Sequence, residues 1–197
     1  MRPVIIDSGG ANLASLQYAL ERLGVQAPVT SAPAAVRSAT HVILPGVGSA
    51  ADAMRRLKTS GIAKVLPQLE QPVLGICLGM QLLFTRSEEG ETECLGVIPG
   101  SVRRLQPQPG RPVPHMGWNQ LAIRRRDPLL TRVPENEYMY FVHSYAAAVS
   151  DDTVATASYG ADVAAVVRRE NFCGTQFHPE RSGAAGARIL ANFLGIH

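Results

Sequence analysis

One stretch near the middle of the chain, VLGICLGMQ at residues 73–81, constrains the fold more than any other. A short apolar run, typical of a buried strand, leads directly into a helical pattern. Cys77 stands at the junction, with Gly75 and Gly79 two residues away on either side. This is the pattern of a nucleophile elbow, a tight turn in which the reactive residue is strained and larger neighbours would collide. The stretch therefore predicts an α/β sheet with Cys77 projecting from its end.

The position of Cys77 also favours a reactive thiol. A helix N-terminus presents free amides and the positive end of the helix dipole, and both favour thiolate over thiol. The amide of Leu78 is then well placed to stabilise an oxyanion. A free cysteine elsewhere is usually a small buried apolar residue. We expect that structural role for Cys94 and Cys173, which lack the flanking glycines.

The rest of the sequence predicts how the sheet is covered. Strand and helix patterns alternate in the first half, and short β-rich runs with Pro and Gly punctuation fill the second. The predicted strands are 4–7, 41–44, 72–76, 101–105, 119–123, 138–147, 154–159 and 163–167, and the predicted helices lie around 13–23 and at 50–57, 78–85 and 183–194. We predict one α/β domain over residues 1–197, with a central, mostly parallel sheet, helices on both faces and an added antiparallel β portion.

A thiol nucleophile needs a base and a group that orients the base. The stretch GTQFHPE at residues 174–180 supplies both types of residue. In an extended segment residues i and i+2 share a face, so Glu180 would accept a hydrogen bond from one ring nitrogen of His178. The other nitrogen would then face Cys77.

Composition limits the function classes. Of 197 residues, 46% are hydrophobic and 18% are charged, which indicates a globular chain, and the formal charge of +3 is modest. No zinc spacing, nucleic-acid motif, targeting signal or apolar window of about 20 residues is present, so we expect no metal, nucleic acid or membrane partner. Three cysteines in a chain of this size favour a reducing cytoplasm.

Taken together, the elbow and the HPE stretch resemble the class I, or triad-type, glutamine amidotransferase family. Three more stretches strengthen the resemblance: PGVG at 45–48, HMGWN at 115–119 and YFVHSY at 140–145. In particular, the chain resembles the glutaminase subunits of imidazole glycerol phosphate synthases. The matches run from the first strand to the last helix, and their joint order is highly specific. The family shares a flavodoxin-like architecture.

The resemblance implies a reaction. Cys77 would attack the side-chain amide of L-glutamine, while His178, oriented by Glu180, would move the proton. The family's oxyanion hole implies the amides of Leu78 and Val47. Substrate contacts carried over from the family are Gln81 and the backbone of His143 and Ser144. No cofactor is expected.

The resemblance also implies a partner, a cyclase subunit with a (β/α)8 barrel that uses the ammonia to make imidazole glycerol phosphate and aminoimidazole carboxamide ribonucleotide. Met116, Trp118 and Asn119 form an aromatic and polar cluster suited to that interface. Asn12 follows the first strand and is a further candidate. Its loop, DSGGAN at 7–12, departs from the usual family pattern. The departure affects the contacts expected for this loop, not the reaction expected at Cys77.

Two other functions fit parts of this sequence. The chain could be the glutaminase of a different synthase, or a stand-alone γ-glutamyl hydrolase. It could also be a non-catalytic or redox-sensing domain of the same architecture, with Cys77 as an oxidisable thiol. The redox alternative leaves the pairing of His178 with Glu180 unexplained.

Overall fold

The computed structural model describes residues 1–9 and 13–196. The strands are β1 Pro3–Ile6, β2 Val29–Thr30, β3 His41–Leu44, β4 Val73–Ile76, β5 Phe84–Ser87, β6 Thr92–Glu93, β7 Ile98–Arg104, β8 His115–Gln120, β9 Ala122–Ile123, β10 Tyr138–His143, β11 Tyr145–Ala147, β12 Thr153–Tyr159, β13 Ala161–Arg169 and β14 Phe172–Thr175. The α-helices are α1 Leu13–Glu21, α2 Pro33–Ser38, α3 Ala50–Thr59, α4 Ile62–Val65, α5 Leu78–Leu82 and α6 Gly183–Leu194. Short 3-10 helices lie at Leu66–Gln68, Glu89–Glu91, Pro128–Leu130 and Pro179–Arg181.

The main sheet has eight strands in the order β2-β1-β3-β4-β14-β13-β12-β9. The strands from β2 to β14 run parallel, and the pairs β14–β13, β13–β12 and β12–β9 run antiparallel. Strands β1, β3 and β4 are buried along their whole length, as expected for parallel strands covered on both faces. The predicted α/β class with a mostly parallel central sheet is confirmed.

Helices cover both faces of this sheet, as the sequence predicted. Alternate residues of β1 point to opposite sides, so Ile5 belongs to one apolar core and Val4 and Ile6 to the other. Helices α1 and α6 bury their apolar stripes in the first core. Helices α2, α3 and α4 do so in the second, so the sheet separates two cores.

The predicted antiparallel portion is also present. Strands β8 and β10 form a two-stranded antiparallel ribbon, and β11-β7-β5-β6 form a separate four-stranded sheet. In that second sheet β5 and β7 are parallel, while the other pairs are antiparallel. The sequence predicted the antiparallel character of this region but not its division into two sheets.

The helix predicted at 78–85 is too long. Helix α5 ends at Leu82, and Phe84 begins strand β5. The chain leaves the helix because the carbonyls of Leu83 and Phe84 accept hydrogen bonds from Ile98 and Gly96, at 2.8 and 2.9 Å. These long-range bonds override a local helical pattern.

Two predicted strands are divided in the structure. The run at 138–147 breaks at Ser144, whose carbonyl accepts a bond from Leu105, and its halves enter different sheets. The run at 119–123 is split between the end of β8 and the short β9, and β8 itself begins earlier, at His115. Helix α2 was not predicted. Asn12 lies outside the described residues.

Within the described ranges, no helix is both long and apolar enough to cross a membrane.

Close packing around the turn after β4 fixes the position of the elbow. A Cβ atom on Gly79 would overlap the carbonyl oxygen of Leu44, and one on Gly75 would lie 2.7 Å from the carbonyl oxygen of Gly79. Gly46 is also confined, because a Cβ atom there would lie 2.8 Å from the amide nitrogen of Gly79. The turn after β3 and the start of α5 therefore touch backbone to backbone, which only glycine permits.

We expect Gly79→Ala to destabilise the fold by about 3 kcal/mol or more, because backbone rather than a flexible side chain occupies the space. Gly24→Ala is the control: Gly24 stands in the turn after α1, at φ +76°, and an added methyl group there would meet nothing within 4 Å. That change should cost only the backbone strain, about 1–2 kcal/mol. Urea unfolding measures both, and equal losses would contradict the packing described for the elbow.

Candidate active site

Three neighbouring parallel strands, β3, β4 and β14, end at one edge of the sheet and bring the predicted catalytic residues together there. Cys77 follows β4, and His178 follows β14, its hydrogen-bonded neighbour. The turn at 45–48 follows β3, on the other side of β4. Binding sites of open α/β sheets form at the carboxyl ends of the strands, and this edge has that position.

Cys77 has a strained backbone, with φ 53° and ψ −112°. Its amide donates to the carbonyl of Thr175 at 2.7 Å, which anchors the turn to β14. The side chain is 8% exposed, and Sγ lies 3.7 Å from the carbonyl oxygen of Val142. The predicted elbow geometry is therefore present, and the thiol faces the ribbon formed by β8 and β10.

His178 and Glu180 meet, though not in the conformation the sequence suggested. The extended segment expected at 178–180 is wrong, because Pro179 begins a 3-10 turn in which the amides of Arg181 and Ser182 bond back to His178 and Pro179. Within this turn Nδ1 of His178 lies 2.8 Å from Oε1 of Glu180. Both side chains are buried, 5% and 4% exposed.

The electrostatics of His178 reflect two opposing influences. Burial disfavours the charged imidazole, but hydrogen bonds to Cys77 and Glu180 outweigh it, and the pKa of His178 rises to about 10. The other ring nitrogen therefore serves Cys77 while Nδ1 serves Glu180. A proton shared between sulfur and imidazole is the state that makes a cysteine nucleophilic.

The other two cysteines differ from Cys77. Burial raises the pKa of Cys94 to about 11 and that of Cys173 to about 12, so both stay protonated near neutral pH. Their environments agree with the structural role expected for them. In the part of the chain that the structure describes, no group of three or more His, Cys, Asp or Glu residues could hold a metal ion.

An open cavity of about 330 Å³ lies in front of Cys77. Its volume suits a small metabolite. Every residue predicted for catalysis or substrate binding, except Glu180, lines it. The lining comprises Gly46, Val47, Gly48, Cys77, Leu78, Gln81, Glu89, Pro114, Val142, His143, Ser144, Tyr145 and His178.

The two predicted oxyanion donors flank the nucleophile. Leu78 is the first residue of α5, where an amide has no intrahelical acceptor. Val47 lies across the cavity in the turn that Gly46 packs against the elbow. The structure thus brings both residues to the thiol.

Gln81 lies beneath the cavity and is 4% exposed. Its Nε2 donates to the carbonyl of Tyr145 at 2.8 Å and to Oε1 of Gln176 at 3.0 Å. Gln176 is wholly buried, and its own Nε2 lies 3.8 Å from Sγ of Cys77. No sequence pattern predicts this role for Gln176, although it stands two residues before His178 in the same GTQFHPE stretch.

Glu89 is a second side chain at the site that the sequence does not predict. It lines the cavity, and its Oε2 accepts a hydrogen bond from the amide of Ala50 at 2.7 Å. No local pattern marks it, because its approach depends on how the loop after β5 folds against α3.

The ribbon of β8 and β10 presents an apolar outer face near the thiol. Met116 and Trp118 are 63% and 55% exposed, and Tyr138 of the paired strand is 51% exposed. Asn119 points to the opposite face, where its side chain donates to the carbonyl of Ser158 at 3.0 Å. Of the predicted interface residues, Met116 and Trp118 share the outer face and Asn119 does not.

A buried histidine held by a carboxylate, beside a cysteine on a strained strand-to-helix turn, defines a thiol hydrolase of the α/β class. Comparison with known families is specific: the family model for class-I glutamine amidotransferases matches residues 4–196, and the chain belongs to that family. The family and the enzyme class predicted from the sequence are thereby confirmed.

Curated relatives define a narrower group within the family. The chain is 57% identical over 190 residues to the imidazole glycerol phosphate synthase subunit HisH of Xanthomonas euvesicatoria pv. vesicatoria (strain 85-10), covering 96% of this chain and 95% of that one. It is 54% identical to the subunit of the same name from Xylella fastidiosa (strain Temecula1 / ATCC 700964), with the same coverage. The resemblance stated for this synthase subunit is confirmed.

Solved structures agree on the fold. PurLQS from Thermotoga maritima matches with a TM-score of 0.73 and 21% identity, over 98% of this chain and 97% of that one. The glutaminase domain of Trypanosoma brucei CTPS, with bound acivicin, matches with a TM-score of 0.69 and 14% identity, over 100% of this chain and 95% of that one. At these identities the likeness shows the architecture alone.

We expect Glu180→Gln to lower the pKa of His178. Glu180 is one of the two partners that raise this pKa, and without its charge the opposing effect of burial has more weight. Cys77→Ala should also lower it, since the other raising partner is lost. In the wild type the raised pKa stabilises the fold: this contribution is fully present below about pH 6.5 and is lost as the pH rises through about 10. NMR titration of the His178 imidazole shifts measures this pKa in the wild type and in both variants. An unchanged pKa in both variants would contradict the hydrogen bonds of His178 with Cys77 and Glu180.

Proposed function

We propose that the chain acts as the glutaminase subunit of an imidazole glycerol phosphate synthase, with Cys77, His178 and Glu180 as its catalytic triad. The residue assignment rests on one observation: the imidazole of His178 is hydrogen-bonded to Sγ of Cys77 on one side and to Oε1 of Glu180 on the other, beside a cavity of metabolite size. The synthase assignment follows the HisH relatives, which match over 96% of the chain.

In the proposed reaction Cys77 attacks the side-chain amide carbon of L-glutamine, and His178 holds the thiol proton. When the tetrahedral intermediate collapses, the imidazolium gives this proton to the departing nitrogen, and ammonia leaves. Water, activated by the neutral imidazole, then hydrolyses the γ-glutamyl thioester to glutamate and restores the thiol. Glutamine and water become glutamate and ammonia, and no cofactor enters the balance.

Glu180 serves as the orienting group. Its carboxylate fixes Nδ1 of His178 at 2.8 Å and stabilises the imidazolium during the reaction. The developing oxyanion lies between the amides of Leu78 and Val47, which flank Cys77 in the same cavity.

The cavity wall offers polar groups, and one charged group, for binding the amino acid glutamine. Gln81 and the backbone of His143 and Ser144 line the wall of the cavity and would hold the substrate in register with the thiol. Glu89 offers a carboxylate at the same cavity, which suits the α-ammonium group of an amino acid. This charge would also select against substrates without a free amino group.

The proposed partner is a cyclase subunit with a (β/α)8 barrel, docked on the outer face of the β8–β10 ribbon. Tyr140 on this face is contacted edge-on by Trp118 at 5.9 Å, and the Arg181 guanidinium lies 4.6 Å from its ring centre. Exposed aromatic residues beside an arginine are typical of interface hot spots. The ribbon also carries the Val142 carbonyl that faces the thiol, so ammonia would be released close to the docked partner.

Asn119 and Asn12 stay predictions for this interface. We also place the protein in the cytoplasm as a single domain of residues 1–197. Three unpaired thiols, Cys77, Cys94 and Cys173, fit a reducing compartment.

Cys77→Ala should reduce glutamate release from L-glutamine by about 10⁴-fold or more, because the nucleophile is lost, while binding of the cyclase is retained. Cys94→Ala is the matched control and should keep wild-type turnover, since its thiol lies outside the cavity. The assay is enzymatic detection of glutamate with the cyclase subunit present. Turnover that survives in Cys77→Ala would exclude the thioester mechanism.

Trp118→Ala should weaken cyclase binding roughly 30-fold, corresponding to about 2 kcal/mol for a buried aromatic anchor. Tyr18→Ala removes an aromatic side chain of similar exposure, 60%, from α1 and should change the Kd little. Titration calorimetry measures both. A Kd unaffected by Trp118→Ala would move the interface away from this ribbon.

A further inference from the structure

Three polar side chains form a hydrogen-bonded line that ends on the wall of the cavity. Nδ2 of Asn119 lies 3.4 Å from Nε2 of His115, and Nδ1 of His115 lies 3.0 Å from Nε2 of His143. Nδ1 of His143 lies 2.9 Å from the carbonyl oxygen of Tyr145. The line therefore runs from β8 through β10 to the first residue of β11.

The final acceptor fixes the direction of every bond. A carbonyl oxygen only accepts, so Nδ1 of His143 carries a hydrogen and its Nε2 accepts from His115. His115 must then carry its own hydrogen on Nδ1 and accept from the amide of Asn119. Both imidazoles are thus neutral and share one tautomer. Protonation of either would set two N–H groups against each other or against the donor of Asn119.

The surroundings hold both rings in this state. His115 is stacked between Tyr159 and Phe141, with ring centres 4.0 and 5.0 Å away. Tyr159 is itself held by a 2.6 Å bond from its hydroxyl to the carbonyl of Pro112. Burial lowers the pKa of both His115 and His143 to about 4, so neither ring is charged near neutral pH.

The carbonyl of Tyr145 connects the line to the substrate side. It accepts a second hydrogen bond, from Nε2 of Gln81 at 2.8 Å. Gln81 in turn donates to Gln176, whose amide faces the sulfur of Cys77. Gln81 is a proposed substrate contact. Its orientation therefore depends on the Tyr145 carbonyl, whose position is fixed by the hydrogen bond from His143.

We propose that His115 and His143 are paired positioning residues for glutamine binding, which set the Tyr145 carbonyl and, through it, the side chain of Gln81. The inference rests on the proposed function, because it names what prepares that same cavity. Neither imidazole side chain contacts the substrate directly. His143 holds the wall by donating from Nδ1, and His115 fixes the tautomer that makes this donation possible.

Long-range proton–nitrogen NMR spectra of the wild-type chain test the tautomers directly. Both imidazoles should give the neutral pattern with hydrogen on Nδ1, the less common form for histidine in water. A hydrogen on Nε2 in His143, or a charged ring near neutral pH, would overturn the proposal. This test needs no variant and so does not depend on how a variant folds.

Paired substitutions of His143 test the consequence for binding. Asparagine places an amide near the Nδ1 position and can still donate to the Tyr145 carbonyl, whereas glutamine reaches toward His115 and leaves that carbonyl without the bond. With the cyclase present, His143→Gln should raise the KM for L-glutamine about tenfold, the loss expected for one hydrogen bond. His143→Asn should raise it about threefold or less, and kcat should change less than KM in both.

The outcomes separate this inference from the proposed function. A wild-type chain without glutamine turnover refutes the proposed function. Wild-type turnover with an equal KM in His143→Gln and His143→Asn refutes the positioning role and leaves the triad intact. A larger KM in the asparagine variant than in the glutamine variant also contradicts it, because the donor to Tyr145 would then be unimportant.

Discussion

The backbone of Cys77, at φ 53° and ψ −112°, lies in a conformation that costs an L-amino acid about 1–3 kcal/mol. It persists because the surrounding packing leaves the turn no alternative. Gly79 touches the carbonyl of Leu44, Gly46 approaches the start of α5, and the amide of Cys77 is bound to β14. The same contacts aim the thiol at the cavity and place the turn at 45–48 and His178 beside it. The site is therefore a consequence of how β3, β4 and β14 end, more than of any loop that folds over them.

Burial alone does not set the charges at this site, since three buried histidines respond in opposite ways. The pKa of His178 rises to about 10 because Cys77 and Glu180 favour its charged form, while burial lowers those of His115 and His143 to about 4. For His143 the hydrogen bond to the Tyr145 carbonyl favours the charged ring, but burial outweighs it, and for His115 burial acts alone. The same cavity is thus lined by His178, which favours its charged form beside the nucleophile, and by neutral His143, to which neutral His115 is hydrogen-bonded. The first arrangement suits proton transfer, and the second suits a fixed hydrogen-bond pattern.

Much of this arrangement could be predicted from the sequence. The glycines around Cys77 predict the elbow because steric exclusion is local, and apolar periodicity predicts the parallel strands. The approach of His178 to Glu180 was expected, but by a wrong local conformation: the proline starts a 3-10 turn instead of extending a strand. Helix α5 was predicted too long because pairing between β5 and β7 depends on residues far along the chain. Glu89 and Gln176 escaped notice for a similar reason, since only tertiary packing brings Glu89 to the cavity and Gln176 to the sulfur of Cys77.

The role of Cys77 is tested most directly by treating the chain with a glutamine analogue that carries a diazoketone in place of the side-chain amide, and by locating the adduct with mass spectrometry. If Cys77 is the nucleophile, glutamate release is lost completely with one adduct per chain, on the peptide that contains Cys77, and L-glutamine protects against the modification. An adduct on Cys94 or Cys173 that accompanies the loss of activity would contradict this role of Cys77. So would full turnover in a chain whose Cys77 is completely modified.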